Sequence, residues 1–171
     1  LAGDAAAALP SAEAIVADAD ARGFALFSVL GRIYLGWAAA ARDPHDPRVD
    51  AFLNGQIQIA RAMALDSYTP WFLALAAECH ALRGEHDAAC ACLDEADALI
   101  DTTGGKVFAP EVARIRGRVM RVTDAAAANR HFTHASSLAR ASGCTLFAAK
   151  ASADAEGSEP FSRSNSITIG V

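Results

Sequence analysis

Cysteine and histidine side chains cluster in one stretch of the chain, as they do in many zinc sites. The cluster consists of Cys79, His80, His86, Cys90 and Cys92. On a helix with 3.6 residues per turn, the side chains of Cys90 and Cys92 point about 200° away from each other. Because tetrahedral zinc needs its ligands around one point, these two cysteines cannot bind one ion without unwinding the helix. We interpret the cysteines as packing residues of a helical core and predict no metal site here.

Two further groups have the residue types of metal ligands. His131 and His134 stand three apart and share a helical face, but no carboxylate or third ligand lies nearby in the sequence. Asp94, Glu95 and Asp97 fall within one helical turn, a pattern more typical of a solvated helix face than of a calcium site. We predict that neither group holds a metal.

Motifs for group transfer are weaker still. The run Gly104-Gly105-Lys106 has the glycines and lysine of a phosphate loop, but no strand precedes it and the GxxxxGK spacing is absent. No nucleophile elbow and no paired acid and base stand out in the chain. The sequence therefore predicts a protein that is not an enzyme, with no catalytic residues and no cofactor.

Composition indicates an all-α fold. The chain has 171 residues, of which 53% are hydrophobic, much of that alanine, and 7% aromatic. Small side chains at this density favour closely packed helices over a sheet-built core. Runs of β-branched residues are missing except at Ser166-Ile167-Thr168-Ile169.

Charge and apolar runs limit the partners and the compartment. The net charge of −5 argues against nonspecific nucleic-acid binding, and charged residues interrupt every apolar run before the roughly 20 residues that cross a bilayer. We expect no direct nucleic-acid or membrane partner. The cysteines fall within predicted helices or at their ends rather than in the loops of a disulfide framework, which favours a reduced, cytoplasmic setting. Since the chain begins with Leu1, we interpret it as a fragment of a longer protein.

A segment that occurs twice organises the chain. The segment from Ala98 to Phe108 aligns with the segment from Ser137 to Phe147, about 39 residues later. Each copy has the end of a helix, a glycine suited to positive φ (Gly104 or Gly143), and an aromatic residue that opens the next helix. Self-similarity at this period is typical of stacked repeat units, which bury their apolar faces against neighbours.

Periodicity and capping signals predict eight helices. Their bounds are 11–21, 24–42, 48–65, 70–83, 86–101, 108–122, a seventh capped by Asp124 and ending at Ser142, and a short eighth from about Thr145. Pro10 is expected to precede the first helix, with Ser11 as its N-cap. We assign residues 1–155 to one helical repeat domain and 156–171 to a polar, flexible C-terminal tail.

The stretch from Trp71 to Ala89 resembles a tetratricopeptide repeat. The match consists of a small residue in the first helix, a glycine at the turn, and a small-large-small pattern in the second helix: Ala77, Gly84, Ala89, Leu93 and Ala96. The second-helix pattern returns at Ala128, Phe132 and Ala135. The resemblance implies antiparallel helix pairs stacked as a tetratricopeptide-like right-handed α-solenoid.

The run from Phe24 to Ala151 is also similar to the repeat region at the C-terminal end of bacterial multidomain adenylate/guanylate cyclases and ATPase-type transcriptional regulators. This resemblance is carried by Gly31-Arg32-Ile33, Gly36-Trp37-Ala38, the run from Phe72 to Glu78, Leu93-Asp94-Glu95-Ala96, Glu111 with Arg114 and Arg116-Gly117, and His131-Phe132 with Ala135 and Leu138-Ala139-Arg140. It implies a scaffold for protein–protein interaction or regulation, whose partners include other domains of the same polypeptide.

Within that resemblance, three arginines are candidates for the partner-binding groove. Arg114, Arg118 and Arg121 share one face of the sixth predicted helix, and the family places such first helices on the concave side. Exposed there, they would hold an acidic partner, and Trp71 and Glu78 are further groove candidates. The alternatives are a solvated helix face and, as a different function, a groove that senses a small-molecule effector.

Overall fold

The computed structural model describes residues 5–157, and this part of the chain is helical, without strands. The predicted all-α class is confirmed. Within the described residues, nine α-helices follow in order: α1 (Ala5–Arg22), α2 (Ala25–Ala40), α3 (Pro47–Ala51), α4 (Ile57–Ala62), α5 (Thr69–Leu82), α6 (His86–Thr103), α7 (Ala109–Met120), α8 (Ala125–Ala141) and α9 (Thr145–Glu156). A π-helix at Phe52–Gln56 joins α3 to α4, and 3₁₀ turns at Asp66–Tyr68 and Lys106–Phe108 precede α5 and α7.

Particular residues at the helix ends explain where the helices stop and start. Gly104 and Gly143, the glycines of the recurring segment, take φ of 68° and 70°, which confirms their predicted helix-terminating conformation. The Asp124 carboxylate accepts a hydrogen bond from the Ala127 amide at 2.8 Å, so the predicted cap of α8 is also confirmed. Asp46 caps α3 in the same way, with the Arg48 amide as donor.

Three predicted helices differ from those in the structure. α1 begins at Ala5, with Pro10 inside the helix rather than before it. The alanines ahead of Pro10 are strong helix formers, and buried Leu9 anchors this turn in the core. The predicted helix over 48–65 is interrupted by the π-helix, which begins at Phe52, where this segment packs against Gly36 of α2. α9 is a full helix of 12 residues, not a short one.

Packing follows pairs of neighbours in the chain. α1 packs against α2, α5 against α6, and α7 against α8, which in turn contacts α9. Across these pairs, α5 lies between α2 and α7, and α7 also contacts α9. We call the helices α2, α5, α7 and α9 the central row. α9 ends at Glu156, one residue inside the predicted tail, and the tail from 158 to 171 lies outside the described residues.

Small residues allow the helices of a pair to approach closely. Ala77 on α5 and Ala89 and Ala96 on α6 are fully buried. On α7, a Cβ atom built on Gly117 would lie 2.6 Å from the Phe132 ring of α8. The alanines that carry the repeat resemblance are therefore buried, whereas Gly84 is an exposed turn residue with φ of 78°.

Enlarging one of these contacts is expected to destabilise the fold. Ala89→Leu should lower the free energy of unfolding by about 1–3 kcal/mol, because the added carbons overpack a closed contact. Ala91→Leu is the matched control, since Ala91 is exposed on the same helix. Urea unfolding followed by circular dichroism would measure both. Equal stability of the two variants would contradict the packing of α5 on α6.

Candidate functional site

A buried carboxylate on α7 joins α7 to α9. Glu111 is 0% exposed, and its two oxygens accept hydrogen bonds from Nε and Nη2 of Arg114, both at 3.0 Å. Lys150 of α9 places its Nζ 2.8 Å from Glu111 Oε2. Arg114 in turn reaches Asp154 of α9 with an Nη1–Oδ2 distance of 2.6 Å. Two cations and two carboxylates therefore form one network across the α7–α9 contact.

A second buried carboxylate, Glu78, connects the next two contacts of the central row. Trp37 of α2 donates its indole N–H to Glu78 Oε2 at 2.7 Å. Arg118 of α7 donates to the other oxygen of Glu78 at 2.5 Å. Since Glu78 lies on α5, this single side chain bonds to both neighbours of α5 in the central row, α2 and α7.

These bonds recur at almost constant separation in the sequence. The partners are 41 residues apart in Trp37–Glu78, 40 in Glu78–Arg118, 39 in Glu111–Lys150 and 40 in Arg114–Asp154. The separation matches the recurrence of about 39 residues in the sequence. Between α7 and α9 the two bonds follow the same order along both helices, as expected for helices that run in the same direction.

The network fixes the charge of Arg114. Burial lowers the pKa of the Arg114 guanidinium, but the carboxylates of Glu111, Glu78 and Asp154 outweigh it and raise the pKa above the usual arginine value. The side chain is therefore a permanent cation within the helix contacts.

The three predicted arginines do not share one environment. The expectation that all three are exposed is wrong for Arg114, which is 5% exposed, because Glu111 and Asp154 draw it between α7 and α9. Arg118 and Arg121 are partly exposed. Arg121 donates to the carbonyl oxygens of Asp154 and Gly157, and its guanidinium lies 4.7 Å from the centre of the Phe132 ring. The predicted groove residue Glu78 is 5% exposed.

Trp71, the remaining predicted groove residue, belongs to an aromatic group. Its indole N–H donates to the Tyr34 hydroxyl at 3.1 Å, and its ring stacks on Phe108 with centroids 5.8 Å apart. Tyr68, which is half exposed, also contacts the Phe108 ring. Burial raises the pKa of the Tyr34 hydroxyl, although the Trp71 hydrogen bond opposes this shift. The group links the starts of α5 and α7 to the middle of α2.

Sequence reasoning missed several members of these clusters: Tyr34, Trp37, Tyr68, Phe108, Glu111, Lys150 and Asp154. A usable signal was present for most of the charged ones. Pairs of opposite charge about 40 residues apart, such as Glu78 with Arg118, follow the repeat of the sequence. In the sequence the recurrence is plainest at glycines and aromatic residues, whereas these charged pairs combine different residue types.

The cysteine, aspartate and histidine groups that were considered as metal ligands have other roles or environments in the structure. Burial raises the pKa of the Cys79 thiol, which disfavours its reactive thiolate form. Asp94 and Asp97 accept hydrogen bonds from Arg116, each at 2.8 Å. Burial and the neighbouring Arg116 lower the pKa of His131. Among residues 5–157, no three or more His, Cys, Asp or Glu side chains are placed to hold one metal ion.

None of the helices in the described part of the chain has the length and apolar character of a membrane span. Comparison with protein-family models, with curated proteins and with solved structures found no match to this chain.

Proposed function

We propose that this chain is a non-catalytic, tetratricopeptide-like scaffold for protein–protein interaction or regulation within a larger bacterial signalling protein. In this proposal the antiparallel helix pairs stack as a right-handed α-solenoid, with the central row as the first helices of successive repeats. The protein works in the cytoplasm, without a cofactor. Its partners are an acidic protein or peptide segment or other domains of the same polypeptide, not nucleic acid or a membrane.

The observation that carries the proposal is the nearly constant separation of four side-chain bonds between neighbouring helices of the central row. Bonds at 39 to 41 residues are what stacked units of equal length would form. A scaffold of this kind presents one face of its first helices to a partner. The extensive internal pairing of charges is also typical of side chains that position helices.

The partner's chemistry is inferred from the arginines that stay accessible. Arg118 and Arg121 lie near the end of α7, partly exposed, where their guanidinium groups can bind carboxylates in pairs of hydrogen bonds. The chain has a net charge of −5, so these arginines are a local positive charge on a surface that is negative on average. An acidic segment would compete with Glu78 for Arg118 rather than find an unoccupied site.

A labelled peptide tests this binding face. We expect a fluorescein-labelled polyglutamate peptide to bind the protein with an affinity that falls as salt rises, since salt screens the attraction. The double variant Arg118→Gln, Arg121→Gln should bind about tenfold more weakly, because it loses two accessible guanidinium groups. Fluorescence anisotropy would measure the affinity, with polyglutamine as the neutral peptide.

The matched control is Arg130→Gln, which removes an equal type of charge from α8, outside the central row. Its affinity should stay close to that of the original chain. If Arg130→Gln weakens binding as much per charge as the double variant, the attraction is nonspecific and the proposed face is wrong. Circular dichroism would verify that the variants are folded.

A further inference from the structure

A pocket of about 450 Å³ opens at the end of α5, where the chain turns into α6. Its apolar walls include Leu82, Val119 and Val122. Val119 is buried, whereas Val122 is 54% exposed. This size falls within the range of small-molecule pockets, roughly 300–1,000 Å³. The pocket is separate from the aromatic group around Trp71.

The polar part of the pocket wall is cationic. Arg83 and Arg118 line it, and no Asp or Glu belongs to its described lining. The carboxylates that pair with these arginines come from outside the lining: Asp50 for Arg83, at 2.8 Å, and Glu78 for Arg118. Each pair holds its guanidinium in place at the wall.

The start of α6 borders the pocket, with Glu85 at its N-cap and Asp87 in its first turn. α6 has 18 residues, and its first residue, His86, lines the pocket. The Glu85 side chain at the N-cap makes no capping hydrogen bond to α6, because it bonds to His80 instead. The first amides of a long helix carry partial positive charge and attract anions. In addition, Nδ1 of His86 is buried without a hydrogen-bond partner in the described structure.

We propose that this pocket binds a small organic anion, a carboxylate with an apolar body. The carboxylate would lie between Arg83, Arg118 and the start of α6, and the apolar body would cover Leu82, Val119 and Val122. A guanidinium presents five N–H donors, so a carboxylate already bound to it does not saturate it. This inference does not depend on the proposed binding of an acidic protein segment.

Octanoate is a suitable probe, because it combines one carboxylate with a flexible apolar chain. In a titration followed by ¹H–¹⁵N NMR, octanoate should shift the amide signals of Gly84, His86 and Val122, which line the pocket. 1-Octanol has the same apolar body without the charge. It should bind at least about tenfold more weakly, because the arginines and the helix start then have no anion to hold.

Two substitutions of Val122 distinguish the effect of charge on octanoate binding from the effect of side-chain shape. Val122→Glu places a carboxylate at the wall and should weaken octanoate binding at least about tenfold, whereas Val122→Lys should preserve or strengthen it. Val107→Glu is the control, since Val107 is 70% exposed and is not a lining residue. These variants leave Arg121 and Arg118 unchanged, so failure here is distinguishable from failure of the polyglutamate test.

Three results would overturn the inference. The first is a pattern of octanoate shifts that does not centre on the lining residues. The second is an equal affinity for octanoate and 1-octanol. The third is an equal loss of affinity in Val122→Glu and Val122→Lys, which would show an apolar contact without anion recognition. Because Val122 lies in an exposed turn after α7, we expect both variants to fold, and the lysine variant serves if the glutamate variant does not.

Discussion

Glu111→Gln is expected to lower the free energy of unfolding by about 3–5 kcal/mol, the usual cost of breaking a buried ion pair from one side. The substitution keeps the shape of the side chain but removes its charge. Arg114, which is 5% exposed, and Lys150 would then retain their positive charges with Asp154 as the carboxylate of this cluster. Chemical unfolding of the purified chain would measure the loss.

The matched control for this prediction is Asp18→Asn. Asp18 pairs with Arg22 on α1, and both side chains are mostly exposed. An exposed pair of this kind contributes at most about 0.5 kcal/mol. The double variant Glu111→Gln, Lys150→Gln should lose less stability than the sum of its two single variants, because the two groups interact directly. A Glu111→Gln variant as stable as Asp18→Asn would show that the cluster does not hold α9 to α7.

Gly36→Ala is expected to destabilise the chain by about 1–3 kcal/mol or more, although alanine is the better helix former by roughly 1 kcal/mol. A Cβ atom at this position would lie 2.4 Å from Cβ of Phe52 and 2.9 Å from the carbonyl oxygen of Arg48. Neither atom is the end of a flexible side chain. The π-helix that begins at Phe52 would therefore have to move away from α2. Thermal and urea unfolding would measure the effect.

Gly55→Ala provides the comparison, because a Cβ atom on Gly55 would meet no atom within 4 Å. Gly55 lies in the π-helix, close in sequence to the contact, so both variants alter the same region. We expect Gly55→Ala to leave the stability unchanged or slightly raised, since alanine restricts the unfolded chain. Equal destabilisation by both substitutions would mean that the region tolerates no change at all, and the close approach at Gly36 would lose its support.

The sequence predicted the helices because their signals are local. Gly104, Gly143 and Asp124 act within one turn of the helix they end or begin, so each could be interpreted without knowledge of the fold. The π-helix was not predicted because it begins at Phe52, where the chain packs against Gly36 of another helix, and such a contact has no local signal. The predicted position of Pro10 before the first helix was wrong for a related reason. The tertiary burial of Leu9 outweighs the local preference of proline for a helix start.

The candidate site was only partly predictable. Helical spacing placed Arg114 and Arg118 on one face of α7, but spacing within one helix does not show which neighbour lies above that face. Arg114 is buried because it bonds to Glu111 and Asp154. Asp154 lies 40 residues later in the sequence, on another helix. Burial of a charge depends on such distant partners. The pocket beside Val122 is likewise formed by residues of two separate segments, α5–α6 and the end of α7.

The attachment of α9 differs in kind from the packing of the helices before it. The large apolar cluster extends from α1 to α7, whereas the cluster beneath α9 consists of Ala113, Ala135 and Ala151, with Leu138 beside it. Charged and polar contacts also attach α9 to α7, through Lys150, Asp154 and the carbonyl of Gly157. Regions with little apolar burial open at lower free energy than the body of a protein. We therefore expect α9 to open at lower free energy than the helices before it, and because Glu111 and Arg114 are buried, this opening should depend only weakly on ionic strength.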